Sequence, residues 1–118
     1  MGSFQGGVGD KDGSLRITEE LPIMPPMNAI NLIRFREIHA NGLIIEQVVW
    51  RLPEPVLGCT HYYKYRLYCG RDGVCWVRYD NERGKGDHRH VGGREEPYGF
   101  TGLDALLADF WNDVERLT

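Results

Sequence analysis

The stretch that decides the fold reads HYYKYRLYCGRDGVCWVRYD over residues 61–80. Tyrosine, tryptophan, valine and leucine dominate it, and these residues favour β-strands. A turn at residues 70–73, bounded by two glycines, divides the stretch, so the pattern predicts a β-hairpin with strands over 61–69 and 74–80. Because side chains of a strand alternate in direction, one predicted face carries Tyr63, Tyr65, Leu67, Cys69, Val74 and Trp76, and the other carries Tyr62, Lys64, Arg66, Tyr68, Cys75, Val77 and Tyr79.

A second predicted hairpin precedes this one along the chain. Residues 29–39 and 43–51 are rich in Ile, Leu, Val, Phe and Trp, and Asn41-Gly42 separates them. Asn-Gly between two such runs is a strong signal for a two-residue hairpin loop. That loop predicts Phe35 opposite Val48 and Ile33 opposite Trp50. The face expected to be apolar is formed by Ile33, Phe35, Ile44, Val48 and Trp50.

The chain closes with a predicted helix. Thr101 is a suitable N-cap, and Asp104 three residues later suggests a weak capping box. A buried stripe with helical spacing is expected from Leu103, Leu106, Leu107, Phe110, Trp111, Val114 and Leu117, while Asp109, Asp113 and Glu115 are expected in solvent. The sequence therefore predicts an α+β fold: a twisted antiparallel sheet of four or five strands, made of two hairpins and an edge strand near residues 87–91, with the C-terminal helix on one face.

Composition limits the domain organisation and the class of function. The 118 residues suffice for one domain, which we expect over residues 28–118, while residues 1–27, rich in glycine and proline, are expected to form a flexible extension. A net charge of −3 disfavours a protein that coats nucleic acid by bulk electrostatics. No apolar run approaches the roughly 20 residues that a membrane helix needs. Three cysteines without disulfide-like spacing, and no secretory signal, predict a cytoplasmic protein with reduced thiols.

Residues 78–94 (RYDNERGKGDHRHVGGR) are too polar to form a core, and they carry the candidate chemistry. If the chain is extended there, His88 and His90 project from one face roughly 7 Å apart. Two histidines can serve as acid and base in RNA cleavage, and Lys85 and Arg89 could bind the scissile phosphate. The predicted catalytic residues are thus His88, His90, Lys85 and Arg89, and the predicted substrate-binding residues are Arg83, Lys64, Arg66 and Tyr62.

Other interpretations of the same residues stay open. The histidines could belong to a polar edge strand that pairs with acids or docks a partner. A metal site needs three or four ligands, and although His61 or Asp87 could join the His-x-His pair, the spacing does not require it, so we expect neither metal nor cofactor. Gly84-Lys85-Gly86 could approach a phosphate or form a structural turn, and Cys59 near His61 is a weak candidate for a reactive thiol.

Three segments together resemble the TumE family of small prokaryotic toxins: VWRLPEPV at 49–56, HYYKYRL at 61–67 and RYDNERGKGDHRH at 78–90, followed by the closing helix. The resemblance covers about residues 28–117. Where this chain has Leu57 and Cys59, family members often have proline and serine, which argues against a role for Cys59. The resemblance implies a cytoplasmic toxin of a type II toxin–antitoxin system, neutralised by an antitoxin that carries a helix-turn-helix domain.

Two classes of function follow from these observations. The first hypothesis is a toxin that acts on RNA by metal-independent acid–base cleavage, an inference by analogy with other small toxins. The second is a non-enzymatic module that binds the antitoxin or self-associates, since unpaired strand edges in a small sheet also allow a homodimer. A metal-dependent nuclease is a third, weaker hypothesis.

Overall fold

The computed structural model describes residues 28–118, so the predicted extension over residues 1–27 lies outside the described part. The elements are β1 (Ile30–Ile38), β2 (Ile44–Arg51), β3 (Tyr63–Arg71), β4 (Val74–Glu82), β5 (Gly86–Val91), β6 (Arg94–Pro97) and α1 (Leu103–Leu117). The strands form one antiparallel sheet in the order β1-β2-β3-β4-β5-β6. The α+β class is confirmed, but the sheet has six strands rather than four or five.

The strand missing from the prediction is β6. Gly92 and Gly93 both have positive φ, 58° and 87°, and they join β5 to β6 by a two-residue turn, so that Val91 pairs with Arg94. Positive φ at both central positions is the requirement of the type I′ hairpin turn, and glycine meets it without strain. Gly-Gly between two short polar runs was therefore an available signal for a hairpin.

The loop between β1 and β2 has three residues, which makes the predicted register wrong by one residue. His39 and Gly42 close this loop: the His39 N–H donates to the Leu43 carbonyl, and the Gly42 N–H donates to the His39 carbonyl. Gly42 has φ 90°, the left-handed residue typical of three-residue hairpin loops. Ile33 consequently lies opposite Val49 and Phe35 opposite Gln47. The face of β2 that joins the helix-side core carries Leu43, Ile45, Gln47 and Val49. Ile44, Val48 and Trp50 face the other side of the sheet, where Val48 is also buried.

A bulge also corrects the predicted faces of the central hairpin. The register between β3 and β4 shifts between Cys69 and Gly70, and an extra residue in one strand reverses which side the following side chains face. Val77 and Tyr79 therefore lie in the core beside Leu67 and Cys69, on the face opposite to the predicted one.

The C-terminal helix buries Leu106, Phe110 and Val114 against the sheet, chiefly over β4. Leu117, expected in the same buried stripe, is 37% exposed. The helix begins one residue later than predicted: the N-cap is Gly102, without a side-chain capping bond, and Thr101 lies before it.

Asp113 was expected in solvent but is only 5% exposed. Its burial is explained by partners, since Tyr79 donates a hydrogen bond of 2.5 Å to its carboxylate and Arg89 pairs with it at 3.3 Å.

The sheet therefore has two unlike faces. The helix side holds the core, which contains Leu43, Ile45, Val49, Tyr65, Leu67, Cys69, Val77, Tyr79, Leu106, Phe110 and Val114. The opposite side, which we call the open face, is not covered by any helix within residues 28–118. Within the same range, no helix combines the length and the apolar character needed to cross a bilayer.

Candidate functional site

Strand register gathers the candidate residues in two rows on the open face. In the first row His90 lies opposite Arg78 on one side and Glu95 on the other. In the second row His88 lies opposite Asp80, which in turn pairs with Arg66 of β3. The two histidines thus share one face, as predicted, and β6 adds a carboxylate beside them.

Glu95 is the centre of this cluster. Its Oε2 lies 2.6 Å from Nζ of Lys85, 3.3 Å from Nε2 of His90 and 3.9 Å from Nδ1 of His88. The hydrogen bond from Lys85 is the main cause that lowers the pKa of the Glu95 carboxyl, and the same bond raises the pKa of Lys85. The sequence patterns did not identify Glu95 as a site residue, whereas recognition of the β5–β6 hairpin would have placed it opposite His90.

His90 is held in its neutral form. A guanidinium nitrogen of Arg78 lies 2.7 Å from its Nε2, and because Arg78 is always charged, it donates and Nε2 accepts. Burial and then the charge of Arg78 lower the pKa of His90. Protonation of Nε2 would break the hydrogen bond from Arg78, and Nε2 would then donate to Glu95 instead. The His90 ring therefore lies between Arg78, whose positive charge disfavours a proton on the ring, and Glu95, whose negative charge favours one.

His88 has the complementary arrangement. Its Nε2 lies 2.7 Å from the carbonyl oxygen of Lys85, so this nitrogen carries the proton and donates, and Nδ1 is left facing Glu95. The side chain is only 13% exposed, and its position is fixed by the turn that ends at Gly86. One histidine accepts at Nε2 and the other donates there, so the two rings turn different nitrogens towards Glu95, Nε2 in His90 and Nδ1 in His88.

The lowered pKa of His90 predicts a pH dependence of folding. Between the folded-state pKa and the ordinary value near 6.5 the unfolded chain binds more protons at His90, so the stability that the neutral ring contributes is present above about pH 6.5 and decreases as the pH falls. We expect the parent to lose more melting temperature between about pH 7.5 and about pH 5.5 than His90→Gln. Thermal melts of both proteins measure this. His39→Gln, at an exposed histidine before the first turn, should follow the parent, and equal losses in His90→Gln and the parent would contradict the assignment.

Arg89 lies on the helix side, away from the other three predicted catalytic residues. Its guanidinium bonds the Tyr79 hydroxyl at 3.1 Å and the carboxylates of Glu96 and Asp113 at 2.6 and 3.3 Å. The bonds to Tyr79 and then Glu96 raise its pKa. These contacts tie β5 to β4, β6 and α1, so Arg89 stabilises the strand that carries both histidines. A cavity of about 320 Å³ lies beside it, lined by Val91, Gly92, Arg94, Glu96, Arg116 and Leu117.

The four predicted substrate-binding residues occupy different places. Lys64 and Arg66 lie on the open face: the Lys64 ammonium donates to the carbonyl of Asn81, and Arg66 lies 3.5 Å from Glu46 and over the ring of Tyr68. Arg83 is exposed in the turn between β4 and β5. Tyr62 is 42% exposed and precedes β3. Lys64 and Arg66 share a face with the histidines, and the other two lie at its margin.

The Gly84-Lys85-Gly86 turn has a structural explanation. Gly84 and Gly86 have φ of 79° and 84°, and the Gly84 N–H donates to the carbonyl of Leu57 at 2.6 Å. A Cβ on Gly86 would lie 3.3 Å from the Gly58 carbonyl oxygen. The glycines therefore let the turn contact the loop between β2 and β3, and this contact fixes Lys85 beside His88.

A second polar cluster lies near this loop. One ligand-type atom each from Cys59, His61 and Asp87 lies within 4.8 Å of the other two, which is the ligand number of many catalytic zinc sites. However, Nδ1 of His61 accepts the N–H of Tyr63 at 3.1 Å, so Nε2 carries the proton and donates to Asp87 at 2.8 Å. Asp87 also accepts the Tyr65 hydroxyl at 2.6 Å. Both ring nitrogens are thus occupied, and we interpret the cluster as a hydrogen-bond network that anchors the start of β5. The Cys59 thiol has a pKa raised by burial, which disfavours the thiolate of a reactive cysteine.

Comparison with protein families identifies the chain. The model described as Toxin TumE matches residues 27–118. The chain belongs to the TumE toxin family. The TumE match includes all seven elements and both polar clusters, so the open-face site and the loop that supports it are parts of the family domain. No curated protein and no solved structure matches this chain. Membership of a toxin family also indicates an antitoxin partner.

Proposed function

We propose that this TumE protein is a toxin that cleaves RNA on its open face, in a complex-forming pair with an antitoxin that carries a helix-turn-helix domain. The observation that supports the proposal best is the cluster around Glu95. Two histidines in complementary hydrogen-bonding states and a lysine converge on one carboxylate, on a face that no helix of residues 28–118 covers.

The chemistry assigns His90 as the base and His88 as the acid. Neutral His90 takes the proton of a ribose 2′-hydroxyl, and the 2′-oxygen then attacks the adjacent phosphorus. The bond from phosphorus to the 5′-oxygen breaks, and His88, which enters this step as an imidazolium, gives the proton on Nδ1 to that oxygen and keeps the Nε2 proton on the Lys85 carbonyl. The products are a 2′,3′-cyclic phosphate and a 5′-hydroxyl. Lys85 and Arg78 stabilise the charge that develops on the phosphoryl oxygens. Arg89 acts as a positioning residue, because its guanidinium lies on the helix side.

The rest of the open face is suited to single-stranded RNA. Lys64 and Arg66 can contact phosphates, and Tyr68 lies beside Arg66 as an aromatic surface for a base. Arg83 and Tyr62, at the margin of the face, would steer the strand towards the histidines. Acids on the same face, such as Glu46 and Asp80, limit its positive charge. We therefore expect the open face to bind RNA in a particular conformation rather than to bind any RNA tightly.

An interaction module remains the second candidate, because one feature of the site favours it. The cations of the open face already have acidic partners: Lys85 pairs with Glu95, and Arg78 lies 3.4 Å from Asp80. A partner that docks on such a surface buries no uncompensated charge, which is the most destabilising case. In that case the same face would bind the antitoxin and would carry out no reaction.

Expression alone and with the neighbouring reading frame separates the two functions. For the RNA-cleaving toxin we expect growth arrest that the neighbouring protein relieves, and the purified protein should cut RNA to 2′,3′-cyclic phosphate ends with no loss of rate in a chelator. Cleavage that stops in chelator and returns with a divalent metal would contradict the acid–base mechanism. A stable complex without growth arrest or cleavage would instead identify an interaction module.

A further inference from the structure

The two edges of the sheet are protected very differently. One edge is β6, a strand of four residues that ends at Pro97, and short strands and proline are ordinary means of blocking an edge. The other edge is β1, a strand of nine residues. Half of the large exposed apolar side chains in the described part of the chain belong to β1, namely Ile30, Leu32, Phe35 and Ile38 out of eight. Within residues 28–118 no further strand pairs with β1, and a long apolar edge of this kind can pair with another strand.

The helix leaves this edge uncovered. α1 packs chiefly over β4, so the helix-side surface near β1 keeps Phe35 38% exposed. Phe35 lies opposite Gln47, whose amide nitrogen is buried without a hydrogen-bond partner. Among the described residues, the helix side of the sheet therefore ends at β1 with an apolar side chain that is only partly covered.

From these features we infer that β1 pairs with β1 of a second copy of this chain, antiparallel and about a two-fold axis at Phe35. A two-fold interface must be complementary to itself, and β1 meets that condition in its apolar residues. Leu32, the extra residue of the bulge between Asn31 and Ile33, and Ile38 stand three residues before and after Phe35, so reversal about Phe35 places each near the other at the two ends of the paired stretch 33–37. Phe35 then meets its own copy, and aromatic cross-strand pairs stabilise such a contact.

Charge does not oppose this register strongly. It places Arg34 near the partner's Arg36, but both arginines have contacts within their own sheet: Arg36 pairs with Glu46 at 3.0 Å, and Arg34 lies 5.9 Å from the ring centre of Trp50. The product is one continuous sheet of twelve strands, in which the two open faces lie side by side. An RNA or a partner that binds this face could therefore contact both copies.

Two measurements on the full chain test the pairing. By light scattering the parent should have about twice the mass of the 13.5 kDa chain. Phe35→Lys, which places two like charges at the axis, should raise the dissociation constant at least about 100-fold, whereas Val74→Lys, at an exposed valine of the other hairpin, should leave the dimer intact.

Disulfide formation tests the position of the axis. Phe35→Cys faces its own copy at cross-strand distance and should cross-link under mild oxidation. Ile38→Cys should not, because the two copies of residue 38 lie six residues apart along the strands, about 20 Å. The parent, with its three free cysteines, is the control for unrelated disulfides. The inference would be overturned by a monomeric parent, by a dimer that survives Phe35→Lys, or by equal cross-linking at both positions. It would also be overturned if the parent and the β1 variants are all monomeric and the variants lose only antitoxin binding.

Discussion

Replacement of either open-face histidine should abolish most of the RNA cleavage. His90→Gln keeps an acceptor near Arg78 but cannot take a proton, and His88→Gln keeps a donor for the Lys85 carbonyl but cannot give one. Because positioned acids and bases contribute about 100- to 10,000-fold, we expect each variant to lose at least about 100-fold in cleavage rate and to relieve growth arrest. Cleavage of a defined RNA, followed by the amount of cyclic phosphate, measures the loss.

The double variant distinguishes catalysis from simple weakening of the site. If the two histidines act in one proton transfer sequence, the double variant should be little slower than the worse single variant, since groups that act as a unit are not additive. His39→Gln is the matched control, because His39 is exposed before the first turn and its side chain bonds only the neighbouring Glu37 among the described contacts. Full activity in a folded His88→Gln or His90→Gln protein would exclude these roles and favour the interaction module.

Local periodicity predicted much of the fold, and insertions of a single residue caused the errors in strand register. The hairpins, the closing helix and its buried stripe follow from alternation and helical spacing, which are local properties of the chain. The third residue of the β1–β2 loop and the bulge after Cys69 each reverse which side chains enter the core. A pattern with a period of two cannot detect such an insertion when both faces are rich in apolar residues, as they are around Tyr68 and Tyr79.

The candidate site was predictable where it depends on one strand and not where it depends on several. Alternation alone places His88 and His90 on the same face, and it also separates Arg89 from them, a consequence that the phosphate-binding role assigned to Arg89 did not take into account. Glu95 required a sixth strand and its register. The pairing of Arg78 with His90 required the β4–β5 register. Neither contact has a signal in the sequence until the turns that define those registers are recognised.

The supporting network explains why the polar segment can be rigid without a core of its own. Asp87 accepts from His61 and Tyr65 at one end of β5, and Arg89 bonds α1 and β6 in its middle. Both residues point to the helix side, and the two histidines point to the open face. β5 is thus fixed by its odd-numbered residues and presents its even-numbered ones, which is the separation of stabilising and reacting groups that a preorganised site needs.

Asn81→Ala should cause the largest loss of stability among single changes to this network. Asn81 is fully buried, and it follows the last residue of β4 that pairs with β3. Its side chain continues the ladder in place of the backbone, accepting the Tyr65 N–H at 3.0 Å and donating to the Tyr63 carbonyl at 2.8 Å. Alanine would leave both groups buried without partners, at about 1–3 kcal/mol each.

We therefore expect Asn81→Ala to lower the free energy of unfolding by about 3 kcal/mol and the melting temperature by more than about 10 °C. Urea unfolding measures the first quantity, and thermal melts measure the second. Asn112→Ala, at an exposed position of α1, is the matched control and should change stability little, since alanine is the better helix former. A loss below about 1 kcal/mol would mean that water replaces the Asn81 bonds, and the loop before β3 would then not depend on this side chain for its position.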